Sequence, residues 1–490
     1  MAISFNSVPS NLRIPFVAAE FDASRAQQGP AVLTYRGLIL GQKTSAGTAT
    51  ANTLHKVTSA DQVATLAGRG SQLHRMAKKW FANNKSTEVY VGVLEDAGAG
   101  VAASGTLTVT GPATASGTLS IYIAGELVQV PVASGDAASA IATAIKDAIT
   151  AATELPVTAA VNSAVVTVTA RNKGANGNDI DIRLNYQDGE ATPAGVAVAI
   201  VAMASGSTPP TLTTMLAAMG DTWFNVLAHP YTDATSLSAI EAELASRFGP
   251  MRMIDGVAFT GSKGSASTLG TMGDTRNSQH SCIVAQAGES PLTPPCEFAA
   301  AVAAVVSYYG AADPARPFQT LEVADVRAPA EADLFTNTER NLLLFDGIAT
   351  TRVGAGGVVQ LERLITTYKT NAAGSTDTAY LDVTTMLTLM YARYSFRARM
   401  AAKYPRSKVA NDGTRFGAGQ AVVTPKIIKA EAVAWFRDLE ELGLFENFDQ
   451  FKRDLVVERN AQDPNRLDVL LPPDLINQLI VTAVQIQFRQ

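Results

Sequence analysis

Residues 223–286, WFNVLAHPYTDATSLSAIEAELASRFGPMRMIDGVAFTGSKGSASTLGTMGDTRNSQHSCIVAQ, alternate short apolar runs with segments of helical period. The apolar runs predict strands over 223–228, 254–259 and 281–286, and the segments between them predict helices over 233–248 and 265–277. Working outward, a helix over 211–219 precedes this stretch and an Ala-rich helix over 297–310 follows it. Much earlier, 34–41 (TYRGLILG) and 88–94 read as buried strands on either side of a helix over 72–83. Strands alternating with helices bury one face of each element only if the strands lie side by side with helices on the sheet faces, so the fold class is α/β with a mainly parallel sheet.

The rhythm breaks at Glu95, where Ala, Gly, Ser, Thr and Val take over. Residues 96–207 read as an inserted β-rich domain, with short strands over 106–110, 118–123, 127–132, 165–170 and 180–184 around one helix near 136–152. Gly-Ser-Thr-Pro-Pro at 206–210 closes it as a linker. After a Gly- and Thr-rich turn at 371–378, two longer helices are expected over 382–403 and 425–441, the second with Thr424 as N-cap and Pro425 in the first turn. A hairpin over 455–471, split at Asp463-Pro464, and a final strand complete a C-terminal α+β domain. Both chain ends alternate as half-apolar strands: Ile3 and Phe5 against Ser4 and Asn6, then Val484, Ile486 and Phe488 against Gln485 and Gln487. The expected division is a 1–20 arm, an α/β core of 21–95 and 208–370, the insert 96–207, an α+β domain 371–475 and a 476–490 arm.

A chain of 490 residues with 47% hydrophobic and 17% charged residues has the material for two to four packed domains. The formal charge of −5 supplies no positive field for a phosphate backbone or an anionic bilayer, so neither direct nucleic-acid binding nor membrane association is expected. The first residues lack a basic and then apolar leader, and the apolar stretch 299–309 is too short to span a membrane. Cys282 and Cys296 have neither zinc spacing nor a disulfide framework and read as reduced thiols.

Candidate chemistry does not assemble. Gly37-Leu-Ile-Leu-Gly41-Gln-Lys43-Thr44 has three residues between its glycines where a phosphate loop needs four, and Gln42 intervenes before the lysine, so these read as turn glycines after a strand. Val353-Gly-Ala-Gly-Gly-Val-Val lacks the third dinucleotide-binding glycine and leads into a strand, which makes it a hairpin turn. His55, His74, His229 and His280 are scattered, and no GxSxG surrounds any serine. Arg393, Arg397, Arg399, Lys403, Arg406 and Lys408, interleaved with Tyr391, Tyr394, Phe396 and Tyr404, read as an interface-facing helix side rather than a groove reader. No catalytic residue, cofactor or metal is assigned. The terminal strands carry unpaired backbone groups and call for pairing partners, either at the edge of their own sheet or on another chain.

ISFNSVPSNLRIPFVAAEFD (3–22), ERNAQDPNRLDVLLPPDLINQLIVTAVQIQF (458–488) and YRGLILGQ (35–42), with the place of the β-rich insert, resemble the tail sheath family of contractile phages, in its Mu-like branch. The resemblance implies a subtilisin-like core used as a fold without protease activity, and a non-enzymatic subunit that needs no cofactor. It implies a homo-oligomer of stacked rings in a helical lattice around a tail tube protein, meeting baseplate and tail terminator proteins, assembled in the host cytoplasm and resident in the virion tail. Contraction without nucleotide would drive the tube through the host envelope. Ile3, Phe5, Val484, Ile486 and Phe488 would then be inter-subunit arm contacts. The 371–475 domain would face the tube, with Lys426, Lys429 and Arg437 as contacts, and the insert would project outward. The sequence does not separate a phage tail from a phage-derived bacteriocin or another contractile injection system. The alternative of another class is a cytosolic α/β hydrolase with a β-rich appendage.

Overall fold

The computed structural model describes residues 32–417 and 419–489. Ile3, Phe5 and the rest of the proposed N-terminal arm lie outside the described residues. The chain forms two compact units, one of Thr34–Tyr391 with the tail from Leu475, the other built on Ala392–Asp474.

The larger unit runs β1 (Arg36–Gln42), β2 (Thr53–Val57), α1 (Ala60–Ala67), α2 (Gln72–Asn83) and β3 (Glu88–Leu94). The insert follows, with β4 (Ala102–Thr110), β5 (Gly117–Ile123), β6 (Glu126–Val132), α3 (Ala138–Ala151), β7 (Val157–Asn162), β8 (Val165–Lys173), β9 (Ile182–Leu184) and β10 (Ala197–Ala204). The rhythm then resumes with α4 (Thr213–Ala218), β11 (Val226–Ala228), α5 (Ala234–Phe248), β12 (Val257–Gly264), α6 (Ala266–Asp274), β13 (Ser281–Ala287), α7 (Pro295–Ala312), α8 (Asn337–Phe345), β14 (Ile348–Val353) and β15 (Val359–Arg363).

The core is an eight-stranded sheet ordered β15-β14-β13-β12-β11-β1-β3-β2. Strands β3, β1, β11, β12, β13 and β14 pair in parallel, and only the two edge strands, β2 and β15, are antiparallel to their neighbours. Parallel strands covered on both faces read as unbroken apolar runs, which is why Leu38, Ile39 and Leu40 and the whole of β13 are buried. The hairpin expected at 353–359 is the β14–β15 connection. Gly37 and Gly41 are not turn residues. They lie within β1, where a Cβ at Gly37 would come 2.4 Å from the Trp80 ring and one at Gly41 would come 3.1 Å from Leu73. Their absence of side chain lets α2 lie directly on the sheet.

Helix α7 is 18 residues long, longer than the apolar stretch first read there, and long and apolar enough to cross a bilayer. It is instead a core helix, buried on nearly every face and packed against α2, β1, β11 and β12. Its one buried acid, Glu297, forms a two-point ion pair with Arg75 of α2: Nε donates to Oε1 at 2.7 Å and Nη2 to Oε2 at 2.9 Å. Arg75 Nη1 also donates to Glu126 of the insert at 3.0 Å, and Nη2 reaches the Ala124 carbonyl at 3.3 Å. Burial alone would weaken the charged guanidinium, but Glu297 and then Glu126 more than reverse this, and its pKa is raised.

In the insert, the sheets β10-β4-β8-β7 and β6-β5-β9 are entirely antiparallel. With α3 they enclose a separate core that includes Leu107, Leu119, Ile121, Ile141, Ile145 and Val166. Strands β7 and β10 were not anticipated: VTAAVN and AVAIVAMA are so rich in alanine that alternation barely registers.

Removing one partner of a buried pair leaves an uncompensated charge. Glu297→Ala is expected to destabilise the chain by about 3–5 kcal/mol in chemical denaturation. A loss below ~1 kcal/mol would show that Arg75 is adequately held by Glu126 and Ala124.

A second expectation concerns acid. His74 is 1% exposed, and its Nδ1 accepts the Gly70 N–H at 3.0 Å, which requires that nitrogen to be unprotonated. Burial lowers its pKa from 6.5 to about 4 against the opposing pull of Glu154. Below pH ~6.5 the unfolded chain therefore binds a proton that the folded chain refuses, so this contribution to stability is complete above that pH and is lost as pH falls towards about 4. At pH 5 the loss should be about 2 kcal/mol. His74→Gln, which keeps an acceptor for Gly70, should flatten the stability profile between pH 7 and 5, and an unchanged slope would exclude His74 as its source.

Candidate assembly surfaces

The smaller unit is organised by the second half of α9 (Val383–Lys403), by α10 (Pro425–Glu441) and by α11 (Phe448–Asp454). Trp435 and Phe436 of α10 meet Phe445 at ring-centroid distances of 5.3 and 5.2 Å, and Phe451 stacks on Phe436 at 4.3 Å. These rings form an aromatic core, and the buried Trp435 indole donates to Ser395 Oγ at 2.9 Å. Thr424 occupies the N-cap but its side chain caps nothing; Asp412 does so instead, accepting the Lys426 N–H at 3.0 Å. The Thr424 hydroxyl and that N–H hold the Asp412 carboxyl below its usual pKa.

Two cations of the basic run, Arg399 and Lys403, are engaged inside this unit. Glu431 of α10 accepts from Arg399 at 2.8 Å, Lys403 at 2.8 Å and the Tyr404 hydroxyl at 3.0 Å, and Arg399 also reaches Asp438. Burial would raise the Glu431 pKa, but Lys403 and Arg399 hold it below the usual value. These cations pin two helices together.

The three cations proposed for the tube contact have unequal surroundings. Lys426 is exposed. Lys429 Nζ donates to the Leu455 carbonyl at 2.8 Å, so it anchors the start of a hairpin and is no freely presented charge. Arg437 is exposed but pairs with Glu440 and lays its guanidinium 3.2 Å from the centre of the Phe448 ring.

That hairpin, Val456–Arg459 with Leu467–Leu470, is antiparallel with Val456 opposite Leu470 and Arg459 opposite Leu467. Among the described residues it is a two-stranded sheet, and neither outer edge is paired with a further described strand. Val456 and Leu470 are 46% and 60% exposed beside those edges. The hairpin is supported from one side by α10, which packs against its first strand.

The expected terminal strand is not a strand in the single chain. Residues 476–489 have no regular secondary structure. Near its start this tail touches the larger unit, where Gln478 donates to Thr384 Oγ1 and the Leu479 carbonyl accepts from Gln319 at 3.4 Å. Beyond this the apolar side chains stand in solvent, with Val484 at 75%, Ile486 at 84% and Phe488 at 81% exposure. The alternation is present, but no backbone partner that would make it a strand is found among the described residues. A run of exposed large apolar residues marks an interaction site.

Three family models match the chain: the phage tail sheath protein beta-sandwich domain over residues 98–197, the phage tail sheath protein central domain over 205–367, and the phage tail sheath C-terminal domain over 375–489. The Mu-like prophage FluMu tail sheath protein of Haemophilus influenzae is 42% identical over 488 residues, covering 100% of both chains. Among solved structures, the sheath tail protein of Listeria innocua aligns with a TM-score of 0.51 at 12% identity over 93% of this chain and 95% of its own. That of Desulfitobacterium hafniense aligns with a TM-score of 0.48 at 14% identity over 94% and 100%. The Listeria likeness is one of fold, whereas the Haemophilus identity extends over the whole length of both chains, and on that ground the chain belongs to the Mu-like phage tail sheath proteins, structural proteins rather than enzymes.

Proposed function

We propose that this sheath subunit polymerises as a helical lattice of stacked rings around a tail tube and contracts to drive the tube through the host envelope, its copies joined by exchanged terminal strands. The observation that carries the strand exchange is the presence on one chain of two features incomplete among the described residues: an exposed apolar tail without a backbone partner and a hairpin without further strands at its edges. Fourteen extended residues, 476–489, reach about 46 Å, far enough to cross to a neighbouring copy. In that copy the tail would add to the outer edge of the Val456–Leu470 hairpin, its amides completing the ladder and Val484, Ile486 and Phe488 entering alternate positions. Ile3 and Phe5 would do the same from the N-terminal arm.

The α/β unit acts in this reading as a rigid body with a subtilisin-like arrangement serving as scaffold, the insert projecting outward and the smaller unit towards the tube. Lys426 is the best placed of the three cations for a tube contact that must release, because Lys429 and Arg437 are held within the chain. Baseplate and terminator proteins would meet the ends of the lattice, and assembly would take place in the host cytoplasm. Contraction would be a rigid-body rearrangement with the arms keeping their attachments.

Truncation after Leu475 should leave the thermal unfolding of the purified chain within ~2 °C of the full-length protein, since the tail contributes little burial, yet abolish the hollow tubes seen by negative-stain electron microscopy on co-expression with the tube protein. The double variant Val484→Asp, Ile486→Asp should do the same, and removal of residues 1–20 should weaken ring-to-ring connection. Tubes of normal length from the C-terminal truncation would refute the arm model.

A further inference from the structure

The insert occupies the carboxyl end of β1, where Asn172 Nδ2 donates to the Lys43 carbonyl at 2.8 Å. Further along the same edge of the core sheet lies a cavity of about 200 Å3. Its lining includes Gln286 and Ala287, the last residues of β13, Arg352 and Val353, the last of β14, and Arg340 of α8. Arg327, from the segment between α7 and α8, and the buried Phe298 and Val359 complete the parts that bear on its chemistry.

Three arginines line this cavity, and among the described residues no carboxylate does. Arg340 is engaged within the fold: its Nε donates to Glu362 at 3.1 Å, Nη1 to the Phe335 carbonyl and Nη2 to Asn337. Arg327 is anchored through its main-chain N–H, which Thr293 Oγ1 accepts at 2.9 Å. Its guanidinium, like that of Arg352, has no ion-pair or hydrogen-bond partner among the described residues, and both side chains are exposed. Two like charges lining one cavity repel each other until an anion enters between them. A guanidinium takes a carboxylate or a phosphate through two parallel N–H bonds.

Size and apolar surface narrow the anion. Pockets for cofactors and other drug-sized ligands measure roughly 300–1,000 Å3, and a cavity of about 150 Å3 takes one benzene, so 200 Å3 holds a group of side-chain size. Phe298 and Val359 suit the methylenes of an acidic side chain better than the hydrated oxygens of free phosphate. Leu334, which also lines the cavity, is 37% exposed, and on α8, which supplies Arg340, Leu342 and Phe345 are 55% and 73% exposed. Exposed apolar residues grouped with arginines mark a protein interface. We propose that this cavity receives an acidic side chain from a neighbouring copy of the chain, its carboxylate held by Arg327 and Arg352 and its stem lying against Phe298 and Val359. The choice of a second copy rests on the helical-lattice reading, in which each subunit is surrounded by others, and on the chain's excess of 44 acidic over 39 basic residues. The contact is made by side chains and is separate from the strand exchange.

Arg327→Glu combined with Arg352→Glu in the full-length chain should leave Tm within ~2 °C of the wild type, since neither guanidinium has a partner to lose, yet cut the number of tubes formed with the tube protein by about tenfold. Tubes of wild-type number from this double variant overturn the receptor and leave the lattice reading intact, whereas a wild-type chain that forms no tubes overturns both. The source of the carboxylate is read from Arg352→Lys, which keeps the charge and supplies a primary amine that a carbodiimide joins to an adjacent carboxylate. In tubes assembled from a mixture of light and heavy-isotope copies, a cross-link at position 352 between light and heavy peptides of this chain is expected. Cross-links confined to one copy, or made only to the tube protein, or absent altogether, overturn the proposal.

Discussion

The ion pair between Arg75 and Glu297 joins residues 222 positions apart, each about 2% exposed, and the larger unit is arranged around it. It couples α2, which precedes the insert, to α7, which follows it, and through Glu126 and the Ala124 carbonyl it also grips the insert. A buried pair gives no assured gain in stability over apolar residues of the same shape, because desolvation consumes most of the attraction. What it does supply is direction. A guanidinium fork meets a carboxylate in one geometry only, so three segments remote in sequence are fixed in register where alanine-rich helix faces could slide. Lys79, one turn along α2, is held at Asp325 at 2.9 Å and extends the same clamp.

The position of the insert also bears on why a sheet of this topology carries no chemistry in this family. The carboxyl ends of parallel strands are the usual seat of activity in α/β folds, since that is where loops converge on a crevice. Here the loops of the insert fill the crevice with hydrogen bonds directed at main-chain carbonyls of the core, such as those of Lys43 and Pro230. The two cysteines are equally withdrawn: both are buried, and burial raises both thiol pKa values. The fold serves as a scaffold, with function to be sought on its surfaces and not in this crevice.

How much of this was legible in the sequence depends on whether a segment's partners lie within the chain. Helices α2 and α10 and strand β3 fall on their expected residues because each has a clear apolar period. The roles of Gly37 and Gly41 were not readable, since they depend on Trp80 and Leu73 pressing down from a helix more than thirty residues later. Nor was the capping of α10 by Asp412, because a cap supplied from a distant loop leaves no local signature. The turn at 371–378 falls at the junction between the matched central and C-terminal sheath domains, while the division of compact units at Tyr391 and Ala392, inside α9, left no mark in the sequence because a continuous helix crosses it. Of the proposed contact residues, the alternation of Val484, Ile486 and Phe488 with glutamines was legible but their exposure was not, because alternation is equally compatible with docking on the chain's own sheet, and the engagement of Lys429 with the Leu455 carbonyl required the hairpin to be placed.

The tail also bounds how strong a single arm can be. Burying Val484, Ile486 and Phe488 would contribute about 1.5–3 kcal/mol each, while fixing a strand of about seven residues costs roughly 1–2 kcal/mol per residue in backbone entropy. Ladder hydrogen bonds add about 0.5–1.5 kcal/mol apiece, so gain and cost nearly cancel for one arm on one neighbour. Two free copies at low concentration would therefore scarcely pair through the tail, and the exposed strand need not drive indiscriminate association. Within a ring the situation changes. If other contacts place a neighbour's hairpin within reach, as the arm proposal requires, the arm would bind at high effective concentration, and each arm that docked would raise the effective concentration for the next. A link that is weak singly and strong collectively suits a lattice whose rigid bodies must shift against one another without separating.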